Sequence, residues 1–231
     1  MSDYQHINTV LFDLDGTLLD SAPDLAQAVN QTLVAMGRSS FPEEQVRGWV
    51  GNGANVLLKR ALSGSVDISA DICADELQQA HLLFKQHYAA CLSDKSQLYP
   101  DVRMTLISLK QVGYKLAIVT NKPGQYMAPI LSAYGLTGLF DLVVAGDCLP
   151  VRKPDPAPLL HACEVLGSKI EQTLMVGDSK NDILAAKAAN MAVAGLTYGY
   201  NYGEDIRLSE PDLVLENISE LLHSLACNVS A

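Results

Sequence analysis

The sequence predicts an α/β fold: a parallel sheet flanked by helices, with a helical segment inserted after the first strand. Three observations predict it. Short, almost wholly apolar runs recur along the chain, as strands buried on both faces require. Stretches with helical spacing separate these runs, and strand–helix–strand repetition argues for parallel pairing. One long stretch, from Ala22 to about Leu92, carries helical patterns and no convincing strand.

The expected strands are 9–14, 115–120, 142–145, 174–176, 193–196 and 213–215. Between them, helical spacing covers 102–112, 125–134, 156–166 and 183–189. Within the long stretch, Leu25, Val29, Leu33 and Met36 form one apolar stripe, and 54–62 and 75–88 read as further helices. The chain starts a sheet, leaves it, and returns near Tyr99-Pro100. Residues 1–20 and 93–231 are therefore expected to form a core domain, and 21–92 an all-helical cap.

The 231 residues suit a core domain with a smaller one attached, and 48% hydrophobic against 18% charged residues speaks against global disorder. The net charge of -10 is opposite to what neutralising nucleic-acid phosphates requires, so no nucleic-acid partner is expected. Five cysteines (Cys73, Cys91, Cys148, Cys163 and Cys227) form no CxxC pair, which fits a reducing compartment. The opening MSDYQHINT lacks a charged-then-apolar signal pattern. No apolar run approaches the roughly 20 residues of a membrane span. A cytoplasmic protein without a membrane partner is expected, as monomer or homodimer.

The first chemistry lies in FDLDGTLLDS. Residues i and i+2 of a strand share a face, so Asp13 and Asp15 both face the carboxyl end of the first strand. Ligands bind at that end in open parallel sheets. Gly16 permits a turn, and Thr17 offers a hydroxyl and an N–H. Two close carboxylates repel unless a cation lies between them or one is protonated. One could attack a phosphorus while the other moves a proton. Alone, such a pair opens a turn and caps a helix just as readily.

Three further loops bear on that choice. Thr120 and Asn121 end the second core strand in IVTNKPG, Lys153 follows in VRKPDPAP, and Asp178 and Asp182 lie four apart in VGDSKND. Each alone has an ordinary reading, as a turn, a solvated loop lysine, and a helix N-terminus with acidic residues. Together they fall on loops at one sheet edge. Carboxylates with water suit Mg²⁺, and an ammonium with a hydroxyl suits phosphate oxygens.

In their order, DLDGT at 13–17, Thr120-Asn121, Lys153-Pro154 and GDSKND at 177–182 resemble the haloacid dehalogenase-like phosphohydrolases over nearly the whole chain. The resemblance implies a Rossmann-like core with a cap of the family's first type. It implies Asp13 as nucleophile and Asp15 as general acid/base. It implies Mg²⁺ on the Asp13 carboxylate, the Asp15 carbonyl and Asp178, with Asp182 in support. Thr120 and Lys153 would grip the phosphate, with Gly16, Thr17 and Asn121 nearby. Within the family the chain looks most like phosphatases of a small two-carbon phosphate bearing a carboxylate, hydrolysed through an aspartyl phosphate. In GLTYGYNYGEDI, Tyr198, Tyr200 and Tyr202 form a loop at the active-site edge, or simply pack that loop.

On the cap, Gly51, Asn52 and Gly53 make a polar loop, and Arg47 is a candidate partner for a substrate carboxylate. Its plainer reading is an exposed helix residue. The alternatives are a phosphosugar mutase or broader small-metabolite phosphatase on the same core, and, from another class, a phospho-accepting receiver module. The receiver lacks a helical insert after its first strand.

Overall fold

The computed structural model describes residues 4–225, so Cys227 and the first three residues of the opening segment lie outside it. The chain runs β1 (Thr9–Phe12), β2 (Leu19–Asp20), α1 (Ala22–Ala35), α2 (Glu43–Arg47), α3 (Ala54–Ser63), α4 (Ala74–Cys91) and β3 (Gln97–Leu98). It continues through α5 (Val102–Gln111), β4 (Lys115–Val119), α6 (Met127–Ala133), β5 (Leu142–Val144), α7 (Ala157–Leu166) and β6 (Thr173–Gly177). It ends with α8 (Lys180–Ala188), β7 (Ala192–Leu196), β8 (Leu213–Leu215) and α9 (Glu220–Ser224).

Six strands form one sheet in the order β5-β4-β1-β6-β7-β8, and every pairing in it is parallel. The first strand is central. The chain builds outward from it through β4 and β5, then crosses to β6, β7 and β8 on the other side. That reversal opens the crevice beyond the carboxyl ends of β1, β4 and β6. Both faces of the sheet are buried. Val10 and Phe12, Leu116 and Ile118, and Leu174 and Val176 join one apolar cluster; Leu11, Ala117, Val119 and Met175 join the other. Alternate side chains enter opposite layers, which is why these strands read as unbroken apolar runs.

All six expected strands are present, β8 with the expected bounds and the other five with ends shifted by one or two residues. β1 stops at Phe12 because the Leu14 carbonyl accepts the N–H groups of Leu18 and Leu19 at 2.9 and 3.0 Å, turning the chain. α8 begins at Lys180, three residues before the helical spacing suggested, because Ser179 and Asp182 form a capping box. Two five-residue helices, α2 and α9, are too short to show a period.

The helical segment leaves and rejoins the sheet through a feature the sequence did not reveal. β2 and β3, two residues each, pair antiparallel as Leu19 with Leu98 and Asp20 with Gln97. Asp24 in the first turn of α1 then accepts the N–H groups of Lys95 and Ser96 at 2.9 and 3.0 Å. The departing and returning strands are thus tied together. α1 packs along α4, and its Leu25, Val29 and Leu33 share an apolar cluster with Leu57, Trp49, Phe84 and Tyr88. No helix among the described residues is long and apolar enough to cross a membrane.

Candidate active site

The site forms where the loops after β1, β4 and β6 meet. Asp13 follows β1 directly and is buried, its N–H still bonded to the Val176 carbonyl at 3.0 Å. Asp13 Oδ1 accepts the Leu14 N–H at 2.7 Å and lies 3.1 Å from Lys153 Nζ. No hydrogen bond to Asp13 Oδ2 occurs among the described residues. Lys153 arrives on the loop before α7 and also donates to Asp182 Oδ1 at 2.6 Å. Asp182 spends its other oxygen on Ser179, from the backbone N–H at 3.1 Å and the hydroxyl at 2.9 Å.

Asp178 closes the group. Its Oδ1 accepts from Thr17 Oγ1 at 2.7 Å and its Oδ2 from the Tyr200 N–H at 2.8 Å. Gly16 and Gly199 press against this carboxylate so closely that a Cβ on either would overlap it. Asp13, Asp178 and Asp182 offer carboxylate oxygens that all lie within 4.8 Å of one another. Lys153 pairs with two of these three buried carboxylates, Asp13 and Asp182, and Asp178 makes no ion pair among the described residues, so the donor set fits a small, oxygen-seeking divalent cation.

The charge imbalance shows in the protonation of the group. Burial pushes the Asp178 carboxyl up to about 8, with Asp182 and Asp13 adding to the rise. Burial also pushes Asp13 up to about 6, although the Lys153 ammonium opposes it. Burial works against the charge on Lys153, yet Asp13 and Asp182 hold it above the ordinary lysine range.

Asp15 stands apart from the three. Its Oδ1 accepts from Ser21 Oγ at 2.6 Å, and both its oxygens meet Lys122 Nζ, at 2.9 and 3.1 Å. Lys122 is buried beneath Tyr88, its ammonium 4.9 Å from the ring centre. Burial alone would lower its proton affinity; Asp15 reverses that and raises it. Sequence reasoning missed Lys122 and Ser21. The signal for Lys122 lay in the TNKP stretch already singled out, where Lys-Pro-Gly read as a turn. Ser21 carried none, because its partner depends on how the chain leaves the sheet.

Asp13 and Asp15 open on a small cavity between the helical segment and the sheet. Thr120, Asn121 and Lys122 line it from the loop after β4; Leu25, Val50, Leu57, Phe84 and Tyr88 line it from the helical segment, as do Gly51 and Gly53. The Asn121 side chain donates to the Gly51 carbonyl at 3.0 Å and the Lys153 carbonyl at 2.9 Å, linking the helical segment, the β4 loop and the lysine loop.

Several sequence-predicted residues lie elsewhere. Thr17, expected near phosphate, is fully buried with its hydroxyl committed to Asp178. The Gly16 N–H is taken by the Leu19 carbonyl at 2.9 Å, so the tight turn itself consumes that donor. Arg47 does not line the cavity: its Nη1 and Nη2 hold Asp20 at 2.7 and 3.2 Å, and its guanidinium lies 5.3 Å from the Tyr200 ring centre. Asn52 Oδ1 accepts from the Tyr202 hydroxyl at 2.8 Å, and Asn52 also lies outside the lining.

The tyrosine loop after β7 is a set of fasteners. The Tyr198 hydroxyl donates to the Thr17 carbonyl at 2.9 Å. The Tyr200 hydroxyl donates to Asp20 Oδ1 at 2.8 Å and accepts the N–H groups of Ser21 and Ala22 at 2.7 and 3.0 Å. Tyr202 reaches Asn52 and accepts from Asn181 Nδ2 at 2.8 Å.

A haloacid dehalogenase-like hydrolase family profile matches residues 10–196. The chain is 51% identical to a phosphoglycolate phosphatase of Colwellia psychrerythraea strain 34H, over 96% of this chain and 98% of the relative. It is 50% identical to one of Vibrio parahaemolyticus, over 96% and 97% of the two chains. The crystal structure of a predicted phosphoglycolate phosphatase from Haemophilus somnus 129PT superposes with a TM-score of 0.88 at 41% identity, covering 95% of this chain and 98% of that one. The chain belongs to the haloacid dehalogenase-like hydrolase family. It is an enzyme of the phosphoric monoester hydrolase class and acts on a small phosphorylated substrate.

Proposed function

We propose that this chain is a Mg²⁺-dependent phosphatase converting 2-phosphoglycolate to glycolate and phosphate through an aspartyl phosphate on Asp13. The observation that carries the reading is the pairing at one cavity of Asp13, whose Oδ2 has no hydrogen bond among the described residues, with Asp15 two residues further on. The relatives described above are phosphoglycolate phosphatases by name, which supplies the substrate.

Asp13 attacks the phosphorus in line and the alkoxide oxygen departs, taking a proton from Asp15. Asp15, now a base, removes a proton from water as that water attacks the phosphorus of the acyl phosphate. Phosphate leaves and Asp13 is regenerated. Lys153, 3.1 Å from Asp13, neutralises charge on the transferring group, and Thr120 lines the same cavity. Asp13, the Asp15 carbonyl and Asp178 would hold Mg²⁺, with Asp182 orienting Lys153; the ion supplies charge neutralisation of the phosphoryl oxygens.

Residues 1–20 and 93–231 act as the catalytic core and 21–92 as a cap that encloses a small substrate and excludes water. The paired β2 and β3 support this division, since the chain leaves and returns at one place. The free cysteines Cys73, Cys91, Cys148 and Cys163 support a reducing, cytoplasmic setting. The protein works as a monomer or homodimer.

The test is a panel of small phosphate monoesters assayed with Mg²⁺ and with chelator. Phosphoglycolate should give the highest kcat/KM, and chelator should silence the enzyme reversibly. Preference for an uncharged monoester, or full activity in chelator, would refute the reading.

A further inference from the structure

We propose that Lys122 and Tyr88 form the subsite that recognises the substrate's carboxylate, so that specificity is read beside Asp15 and not at Arg47 or Asn52. This rests on the phosphoglycolate reading above and deepens it.

A two-carbon phosphate offers one strong handle besides its phosphate, and a carboxylate in a largely apolar cavity needs a cation and a hydrogen-bond donor. Among the residues lining the cavity, Lys122 is the one cation. Its ammonium is already at the reacting end, 2.9 Å from Asp15 Oδ1, and is buried. A lysine ammonium has three donors and Asp15 uses it as a point charge through both oxygens, so a second carboxylate can share it.

Tyr88 supplies the second, independent observation. Its ring is fully buried at the end of α4, stacked on Phe84 at 5.4 Å and packed edge-on against Tyr126 at 4.8 Å. Yet its buried hydroxyl makes no hydrogen bond of normal geometry and has the Lys122 ammonium beside it as a looser polar contact. A buried hydroxyl without a well-formed hydrogen bond costs about 1–3 kcal/mol, and a phenylalanine in this apolar stack would avoid that cost. A hydroxyl held next to Lys122 in the wall of the cavity gains a well-formed bond when a ligand oxygen arrives. Lys122 rises from the β4 loop of the core and Tyr88 descends from the cap, so only a closed cap assembles the pair. The carboxylate thus reports its presence to both halves of the molecule.

The measurement is the ratio of kcat/KM for phosphoglycolate to that for ethyl phosphate, in which a methyl group replaces the carboxylate, with Mg²⁺ saturating. Lys122→Met should lower this ratio about 10-fold or more, the scale of a charge-assisted hydrogen bond, and mainly through KM. Tyr88→Phe, which removes only the hydroxyl and keeps the stack, should lower it about 5-fold. The ratio cancels any common loss from a displaced Asp15. A Lys122→Met ratio within about twofold of wild type overturns the subsite; should that variant not fold, an unchanged ratio in Tyr88→Phe overturns it. A wild type with no preference for phosphoglycolate over ethyl phosphate overturns the functional reading as well, which separates the two failures.

Discussion

Tyr200 holds Asp178 with its backbone and the start of α1 with its side chain. Its N–H donates to Asp178 Oδ2 at 2.8 Å, while its hydroxyl accepts from the N–H groups of Ser21 and Ala22 and donates to Asp20. One residue therefore ties a carboxylate of the acidic cluster to the place where the chain leaves the sheet. The two bonds come from different parts of the residue and can be separated by mutation.

Tyr200→Phe should lower stability by about 1–3 kcal/mol, because two buried N–H groups lose their partner and Asp20 keeps only Arg47. The Mg²⁺ concentration for half-maximal activity should stay within about twofold of wild type, since the backbone donor to Asp178 remains. Urea denaturation and a Mg²⁺ titration measure the two effects. A large shift in the titration would mean that the ring, not the main chain, positions Asp178.

Gly199→Ala makes the complementary change. A Cβ there would overlap the Asp178 side chain, and Asp178 is boxed in by Thr17 and Gly16 on its other side. The carboxylate must move, so half-maximal activity should require at least about 10-fold more Mg²⁺, as for loss of one of the ion's few protein ligands. Circular dichroism should show the fold retained.

Protonation of the cluster predicts an unusual dependence of stability on pH without metal. In the unfolded chain Asp13 and Asp178 ionise near pH 4. In the native protein burial keeps Asp13 protonated to about 6 and Asp178 to about 8. Between these limits the native state binds more protons than the unfolded one, so stability should fall as pH rises from about 4 to about 8. The urea midpoint in chelator should drop across that window, and Mg²⁺ should flatten the decline. Asp178→Asn should flatten it too. A midpoint that rises with pH in chelator would count against the buried, uncompensated cluster.

Asp13→Asn should cut turnover at least about 1,000-fold, because the amide is a poor nucleophile. It should not destabilise the metal-free protein at pH 8, since it removes one of three crowded carboxylates. Trapping of phosphate on the wild-type chain, followed by peptide mapping, should place the acyl phosphate on this residue. Phosphate found on Asp15 instead would reverse their roles.

The sheet was legible because its central strands are buried on both faces, which forces apolar runs such as Leu116 to Val119. The carboxylates and Lys153 were legible because each sits directly after a strand or on the loop behind one. What stayed hidden depends on partners far along the chain. Thr17 looks like a phosphate donor until Asp178, 161 residues away, claims its hydroxyl. Asn52 looks like a free polar tip until Tyr202 takes it, and two-residue strands such as β2 and β3 carry too few positions for any period. Tyr88 was no more than the end of the stretch read as a helix over 75–88, and only its packing shows a buried hydroxyl without a hydrogen bond of normal geometry.

Arg47 gives the last prediction. Its guanidinium grips Asp20, which also accepts the Tyr200 hydroxyl, so Arg47, Asp20 and Tyr200 form one cluster where β2 meets α1. Asp20 leaves Arg47 no role inside the cavity, and its charge is partly solvated, with a quarter of the side chain exposed at 24%. Arg47→Ala should therefore loosen the base of the cap without touching the choice of substrate. Turnover of phosphoglycolate and of p-nitrophenyl phosphate should fall together, by about 2- to 5-fold, the effect of a partly exposed ion pair worth about 1 kcal/mol or less. Lys122→Met assayed beside it should separate the two substrates where Arg47→Ala does not. A selective loss on phosphoglycolate in Arg47→Ala would return carboxylate recognition to the cap's second helix and require the guanidinium to release Asp20 when substrate binds.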